Sequence, residues 1–455
     1  MPIQSINPAT GKTIKTYDAL GAQEIEAKLQ SGEAAFQAWR KSPLSERKTL
    51  VVALALALEK SSERCAKIMS LEMGKTLSAA RAEINKCIIY CKYSADNADI
   101  FLADTIIKTE YKKTFTRPLP LGQILLVMPW NFPFWQVVRV AVAAILAGNT
   151  CLLKHASNVP GCALALEKIF RQAGLPKGVF QTLLVSSSEI TAILEDERIK
   201  GASVTGSERA GSAVASTCGK VIKPCVLELG GADPFIVMPS ADLQVAIDHA
   251  ITGRMRNNGQ SCIAAKRLII HASIYDDFKA GFMKKINAIK LGDPLDFGTD
   301  MGPLSSERAL KEALAQINFA VSEGAVLTNG QQSLPVKGSY LVPGILEKIT
   351  DKMDVYAQEI FAPVAMLFKI NTLDEAITLA NDTPLGLSSV LFSQDEAQQE
   401  QAITQLEAGS TYINRYASSD IRMPFGGIKK SGIGREMAKE GLRAFTNLKT
   451  VIIAN

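Results

Sequence analysis

The sequence predicts an α/β protein, on three observations. The stretch from Gly21 to Phe101 repeats apolar residues at helical spacing, as in Ala34, Ala35, Ala38 and Trp39, then Leu50–Leu58 and Cys87–Tyr93. From Gly122 to Glu228, short apolar strands alternate with helical stretches, the pattern of an open, mostly parallel sheet. A second alternating series begins near Asp233.

The elements follow in chain order. Thr105–Pro120 alternates polar and apolar residues and ends in Pro-Leu-Pro, which reads as an exposed strand or hairpin leaving the main body. Gln123–Met128 reads as a buried strand, and Phe134–Leu146 as a helix closed by Gly148. Strands are expected at Thr150–Lys154, Thr182–Val185, Gly201–Thr205 and Cys225–Glu228. Helices are expected at Val159–Gln172, Ser188–Asp196 and Ser207–Thr217. The second series reads as strand Phe235–Val237, helix Leu243–Asn257, strand Arg267–His271 and helix Tyr275–Ile289. Later strands are placed at Asn329, Tyr340–Val342, Val364–Phe368 and Ser389–Phe392, and helices at Leu373–Asn381 and Glu396–Leu406. The tail ends in Lys449-Thr-Val-Ile-Ile, an apolar strand that needs a partner, in this chain or in another subunit.

Composition removes several function classes. The 455 residues are 47% hydrophobic and 21% charged, an ordinary globular balance that excludes disorder and coiled coil. A net charge of +5, with no basic run longer than pairs such as Lys112-Lys113 and Lys429-Lys430, is no nucleic-acid footprint. The longest apolar runs, Val51–Leu58 and Val140–Ala147, fall short of the roughly 20 residues a membrane helix needs. Met1–Gly11 is polar and has no signal-peptide pattern, and eight Cys are too sparse for a disulfide scaffold. The expected compartment is the cytoplasm. Three histidines, with no HExxH or CxxC, leave no metal site to expect. Cys87 and Cys91 lie four apart and read as helix packing. GxSxG, the P-loop and GxGxxG are all absent, so a dinucleotide would need another route.

Four places could carry chemistry. Cys262 ends Asn257-Asn-Gly-Gln-Ser-Cys262, a turn between a helix and a strand, where a thiol can be reached; a lone Cys is otherwise a small buried hydrophobe. Glu228 closes an apolar strand before Gly230-Gly231, at the strand end where open sheets bind ligands, and could act as a general base. Val204-Thr-Gly-Ser207 joins a strand to a helix; its backbone N–H groups suit an anion, and Ser207 suits equally a plain N-cap. Pro129-Trp-Asn-Phe-Pro133 presents Asn131, whose amide could hold an oxyanion or merely shape the turn.

In order and spacing, these segments resemble the aldehyde dehydrogenase superfamily, nearly end to end. The resemblance includes Asn7-Pro-Ala-Thr-Gly11, Pro129-Trp-Asn-Phe-Pro133, Lys154, Thr205-Gly-Ser207, Glu228-Leu-Gly-Gly231, Gly259-Gln-Ser-Cys262, Glu359-Ile-Phe361, Pro424-Phe-Gly-Gly427 and Ser431-Gly-Ile-Gly-Arg-Glu436. It implies a Rossmann-like cofactor domain (1–103 and 121–230), an α/β catalytic domain (231–434) and a β oligomerisation arm (104–120 and 435–455). It also implies a homodimer or a dimer of dimers. By the same resemblance, Cys262 attacks the aldehyde, and Asn131 with the Cys262 backbone N–H holds the oxyanion. Glu228 then activates water against the thioester. Lys154 and Glu359 resemble the ribose-binding pair, and Phe361 the residue beside the nicotinamide. Trp130, Gly206, Ser207, Glu208 and Leu229 fall in the cofactor cleft by the same carry-over.

Three positions depart from the family pattern: His155 for Pro, Ala362 for Gly, and Ser157 where NAD-preferring relatives often carry Glu. Ser leaves room for a 2′-phosphate and can donate to it, so NADP is the expected cofactor and NAD the weaker one. Ser157 could instead cap the following helix. Arg139, Arg256 and Ser419 resemble the carboxylate contacts of succinate semialdehyde dehydrogenases. The substrate expected is thus a small aldehyde bearing a carboxylate. The plainer alternative has Arg139 reaching the surface and Arg256 paired with an acid. Phe132 and Trp135 would also suit an apolar aldehyde. The leading expectation is oxidation of succinate semialdehyde to succinate. A broader aliphatic or aromatic aldehyde dehydrogenase, a cofactor-independent Cys thioesterase or esterase, and a binding or structural protein on a retired enzyme fold are the alternatives.

Overall fold

The structure is a computed structural model and describes residues 2–330 and 337–454. Two α/β sheets and a small β arm organise it. The first sheet has six strands, in spatial order Gly432–Ile433, Cys225–Glu228, Ile199–Thr205, Gln123–Met128, Thr150–His155 and Phe180–Thr182. All pairs are parallel except Gly432–Ile433 against Cys225–Glu228. Helices cover both faces, which is why these strands read as continuous apolar runs rather than alternating ones. One face packs Leu126 and Leu153 against the helices Leu44–Lys60, Leu77–Phe101 and Trp135–Ala147. The other packs Leu125 and Val204 against Val214 and Cys218.

The second sheet has seven strands: Val326–Asn329, Gly344–Glu347, Val364–Ile370, Arg267–His271, Pro234–Val237, Ser388–Phe392 and Ser410–Ile413. Only Val326–Asn329 runs antiparallel to its neighbour. Separate cores fill its two faces, around Ile269 and Met366 on one and Leu268 and Phe278 on the other. The arm pairs Thr446–Ile453 along the full length of Lys113–Pro120, which also pairs Thr105–Ile106. The tail strand therefore finds a partner inside its own chain. Among the described residues, no helix is long and apolar enough to cross a membrane.

Several boundaries differ from those expected. The strand expected at Thr182–Val185 lies at Phe180–Thr182, because Cys151–Leu153 pairs there. Tyr340–Val342 is no strand; the ladder forms at Gly344–Glu347, opposite Val364–Met366. The helix from Leu243 stops at Met255 because Asn257 and Asn258 are left-handed, with φ of 55° and 58°. Ser188–Asp196 is a short 3₁₀ turn followed by the helix Ile190–Glu195. The helix Glu307–Ser322 was not anticipated, although Leu310, Ala313, Ile317 and Ala320 supply its buried stripe and Ser306 caps it.

Candidate active site

Cys262 lies where the two sheets meet, on a loop built from left-handed residues. Asn257, Asn258 and Gly259 all have positive φ. Asn tolerates that region better than most residues, but long-range bonds must hold the run. Asn257 Nδ2 donates to the Asn131 carbonyl (2.9 Å) and to the Gln260 carbonyl (3.0 Å). Asn258 Nδ2 donates to the Pro303 carbonyl at 2.8 Å. A Cβ at Gly259 would sit 2.5 Å from the Ala362 carbonyl carbon, so only glycine fits. Buried Arg254 fastens the same seam by donating to the carbonyls of Gly259, Ile360 and Val364.

Lys266 holds the thiol's own backbone. Its fully buried ammonium donates to the Ser261 carbonyl (2.8 Å) and the Cys262 carbonyl, and pairs with Glu359 at 2.8 Å. Burial pushes the Cys262 thiol up to about 12, against the pull of Lys266. The resting group is a protonated thiol that needs a base. Glu228 supplies a candidate. It is buried, and neither carboxylate oxygen accepts a hydrogen bond among the described residues. Burial and the nearby Glu436 charge raise it to about 8. A carboxyl poised there becomes a base as pH rises through about 8.

Asn131 is fixed from both sides. Its Oδ1 accepts from the Phe132 N–H (3.1 Å) and its Nδ2 donates to the Gln260 carbonyl (3.3 Å). The loop rests on Glu83, whose Oε1 accepts the N–H groups of Phe134 (2.8 Å) and Trp135 (2.9 Å) at a helix start. Buried Lys75 pairs with Glu83 and lies over the Phe132 ring. His155 closes the loop from below. Burial depresses it to about 4, so it is neutral: one ring nitrogen reaches the Pro133 carbonyl at 2.9 Å, and Nδ1 accepts from the Ala156 N–H.

Cys262 lines two cavities. The first, of about 250 Å³, is walled by Trp130, Asn131, Thr205, Gly206, Ser207, Leu229, Glu359 and Phe361. Trp130 and Phe361 meet edge to face at 5.7 Å. Six of the expected cofactor residues thus come together, whereas Lys154, Ser157 and Glu208 lie off its lining. Glu208 pairs with Lys430 at 2.9 Å. Ser157 is exposed and caps nothing: the next helix starts at Pro160, with Val159 at its cap. Ser207 does cap its helix, accepting from the Ala210 N–H at 3.3 Å.

The second cavity, about 90 Å³, brings Cys262 together with Lys86, Phe132, Trp135, Arg139, Arg256, Ser419 and Phe425. The three expected substrate contacts share this one wall. Arg139 does not reach the surface. It is fully buried, ion-paired with Glu436 and 3.8 Å from Glu228. Arg256 is exposed and forms no ion pair among the described residues; its guanidinium lies 5.7 Å from the Phe132 ring centre. Ser419 accepts from the Lys86 ammonium at 2.5 Å. Sequence reasoning missed Lys86, Lys266 and Glu436 as site residues. Glu436 stood inside a quoted motif, but nothing local marks Lys86 or Lys266.

Known proteins resemble this chain along its whole length. The model of the aldehyde dehydrogenase family matches residues 1–451. The chain is 48% identical, over all of both chains, to succinate-semialdehyde dehydrogenase [NADP(+)] 1 of Mycobacterium tuberculosis. It is 46% identical, again over all of both, to a probable succinate-semialdehyde dehydrogenase [NADP(+)] of Synechocystis. Its structure superposes on that of succinic semialdehyde dehydrogenase from Streptococcus pyogenes in complex with NADP+, with a TM-score of 0.97 and 35% identity over the whole of both chains.

Proposed function

Because the chain belongs to the aldehyde dehydrogenase family, we propose that it oxidises succinate semialdehyde to succinate, with NADP preferred and NAD the weaker acceptor. The observation that carries this reading is the position of Cys262 on both cavities, one suited to a dinucleotide and one lined by cations.

The first cavity fits a nicotinamide dinucleotide in chemistry. Trp130 and Phe361 offer aromatic faces, Glu359 a carboxylate for ribose hydroxyls, and Gly206 and Gly230 close backbone approach. Lys154 and Ser157, at the end of a neighbouring strand, would serve the far ribose and its phosphate. When bound, the cofactor supplies the acceptor for the two electrons and hydrogen lost by the carbonyl carbon. The chain's residues do the rest. Cys262 Sγ attacks that carbon and gives up its proton toward Glu228. Asn131 Nδ2 and the Cys262 N–H donate to the oxygen that gains charge. Glu228, once it has passed the thiol's proton on to solvent, takes a proton from the water that cleaves the thioester. Arg256 and Ser419 face the distal carboxylate, and Arg139 adds positive potential from the cavity floor.

Three coarser proposals accompany this. The outer strand Thr446–Ile453, with exposed Leu448, Ile452 and Ile453, is assigned to subunit pairing in a homodimer or dimer of dimers. The segments 1–103 with 121–230, and 231–434, are assigned as cofactor and catalytic domains. The cytoplasm is the proposed compartment, in keeping with eight free thiols.

The test is initial rates of NADPH and NADH formation with succinate semialdehyde and with butanal. A higher kcat/KM for the carboxylated aldehyde with NADP supports the proposal. Equal rates with both aldehydes would sink the substrate assignment. Hydrolysis of a thioester or ester without any nucleotide, with no aldehyde oxidation in its presence, would point to thioesterase chemistry instead.

A further inference from the structure

The helix Leu77–Phe101 turns one face, Ala79, Ala82, Glu83 and Lys86, into the cavity that holds Cys262. Only the last of these is a cation. Lys86 is partly buried. Its ammonium donates to the Ser419 carbonyl (2.7 Å) and hydroxyl (2.5 Å) and lies 4.2 Å from the Trp135 ring centre. Among the described residues it forms no ion pair. Glu83, less than a turn away, is already saturated by Lys75 and by the Phe134 and Trp135 N–H groups.

Three cations line this cavity, and they differ in what opposes them. Arg139 is ion-paired with Glu436 and close to Glu228. Lys86 and Arg256 have no such acid partner among the described residues. A cation held in a partly apolar pocket without an acid partner is costly unless an anion arrives. Neutral acceptors alone hold Lys86, both from Ser419, 333 residues away in sequence.

We propose that Lys86 is a specificity-determining residue: it receives the carboxylate of the aldehyde together with Arg256, and Ser419 holds its ammonium in position. This rests on the substrate reading above and adds Lys86 beside Arg256 as a direct carboxylate contact, with Ser419 acting through the Lys86 ammonium. The surroundings agree. Burial, then Arg256 and Arg139, push the Lys86 ammonium down to about 7, against weaker opposite pulls from Cys87 and Glu83. A carboxylate placed between Lys86 and Arg256 would reverse that shift and restore the charge.

The test compares wild type, Lys86→Met and Lys86→Arg, with succinate semialdehyde and with butanal at saturating NADP. Lys86→Met is expected to raise KM for succinate semialdehyde and lower its kcat/KM roughly 10- to 100-fold, the loss of one charged hydrogen bond. Butanal should change less than about threefold, and Lys86→Arg should retain most of the preference. The inference is overturned if Lys86→Met keeps the wild-type preference, or if both aldehydes fall together. A wild type with no preference would instead defeat the substrate reading itself. A second readout needs no turnover: protection of Cys262 from iodoacetamide by succinate. Protection present in wild type and lost in Lys86→Gln, whose amide still donates to Ser419, supports the assignment; protection retained in Lys86→Gln overturns it.

Discussion

The guanidinium of Arg139 lies between two buried carboxylates, ion-paired with Glu436 and 3.8 Å from Glu228. It is the compensating charge that lets two acids share one dry site. Both are raised by burial, and Arg139 opposes the rise in each.

Removing that charge should therefore act on the fold before it acts on the substrate. Arg139→Ala is expected to destabilise the protein by about 3–5 kcal/mol, the cost of leaving buried charges unpaired. Activity with succinate semialdehyde and with butanal should fall alike. Thermal denaturation and paired kinetics check this. An unchanged Tm with loss confined to the carboxylated aldehyde would return Arg139 to the role of a direct substrate contact.

Variants of Cys262 and Glu228 are expected to differ in which half of the reaction they block. Cys262→Ala should abolish NADPH formation. Glu228→Gln should slow steady-state turnover by about 100-fold or more, as expected for loss of a positioned base. With the thiol intact it should still form some thioester, detectable as a mass increase on Cys262 after brief exposure to aldehyde together with NADP. An ordinary steady-state rate in Glu228→Gln would remove Glu228 from the chemistry.

The amide of Asn131 is expected to act in the transition state rather than in binding. Asn131→Ala should lower kcat by about 100- to 1,000-fold, the cost of one oxyanion donor. KM should change little. A loss seen mainly in KM would mean that the residue shapes the loop only, through its bonds to Phe132 and Gln260.

The coenzyme preference should turn on Ser157. Ser157→Glu places a carboxylate where a 2′-phosphate would lie and is expected to lower kcat/KM for NADP by at least about tenfold, with NAD spared or improved. The position is exposed, so Tm should hold. An unchanged NADP-to-NAD ratio would place the phosphate elsewhere.

The pH profile follows from Glu228. A carboxyl raised to about 8 is neutral below that pH and becomes a base as pH rises through it. Turnover of an uncharged aldehyde should thus increase as pH rises through about 8 and level only above about pH 9. A flat kcat profile over that range in wild type would contradict a Glu228-limited step.

The amino-acid sequence by itself determined the α/β class, the alternation of strands and helices and the hairpin of the arm, and it singled out Cys262, Glu228 and Asn131 as candidates. Those features are written in local periodicity, turn residues and short motifs, each within a few neighbours along the chain. Boundaries such as Phe180–Thr182 and Gly344–Glu347 were decided by the strand each one pairs with, and an apolar run alone does not choose its register. The left-handed run at Asn257 and Asn258 ended a helix that periodicity extended too far, because remote carbonyls at Asn131 and Pro303 hold it. Only the tertiary structure decided which cation meets which acid. Arg139 is engaged by Glu436, Lys266 by Glu359, and Lys86 by no acid among the described residues. Charge pairing depends on distance through folded space and on exclusion of water, and neither is set by the residues next in sequence.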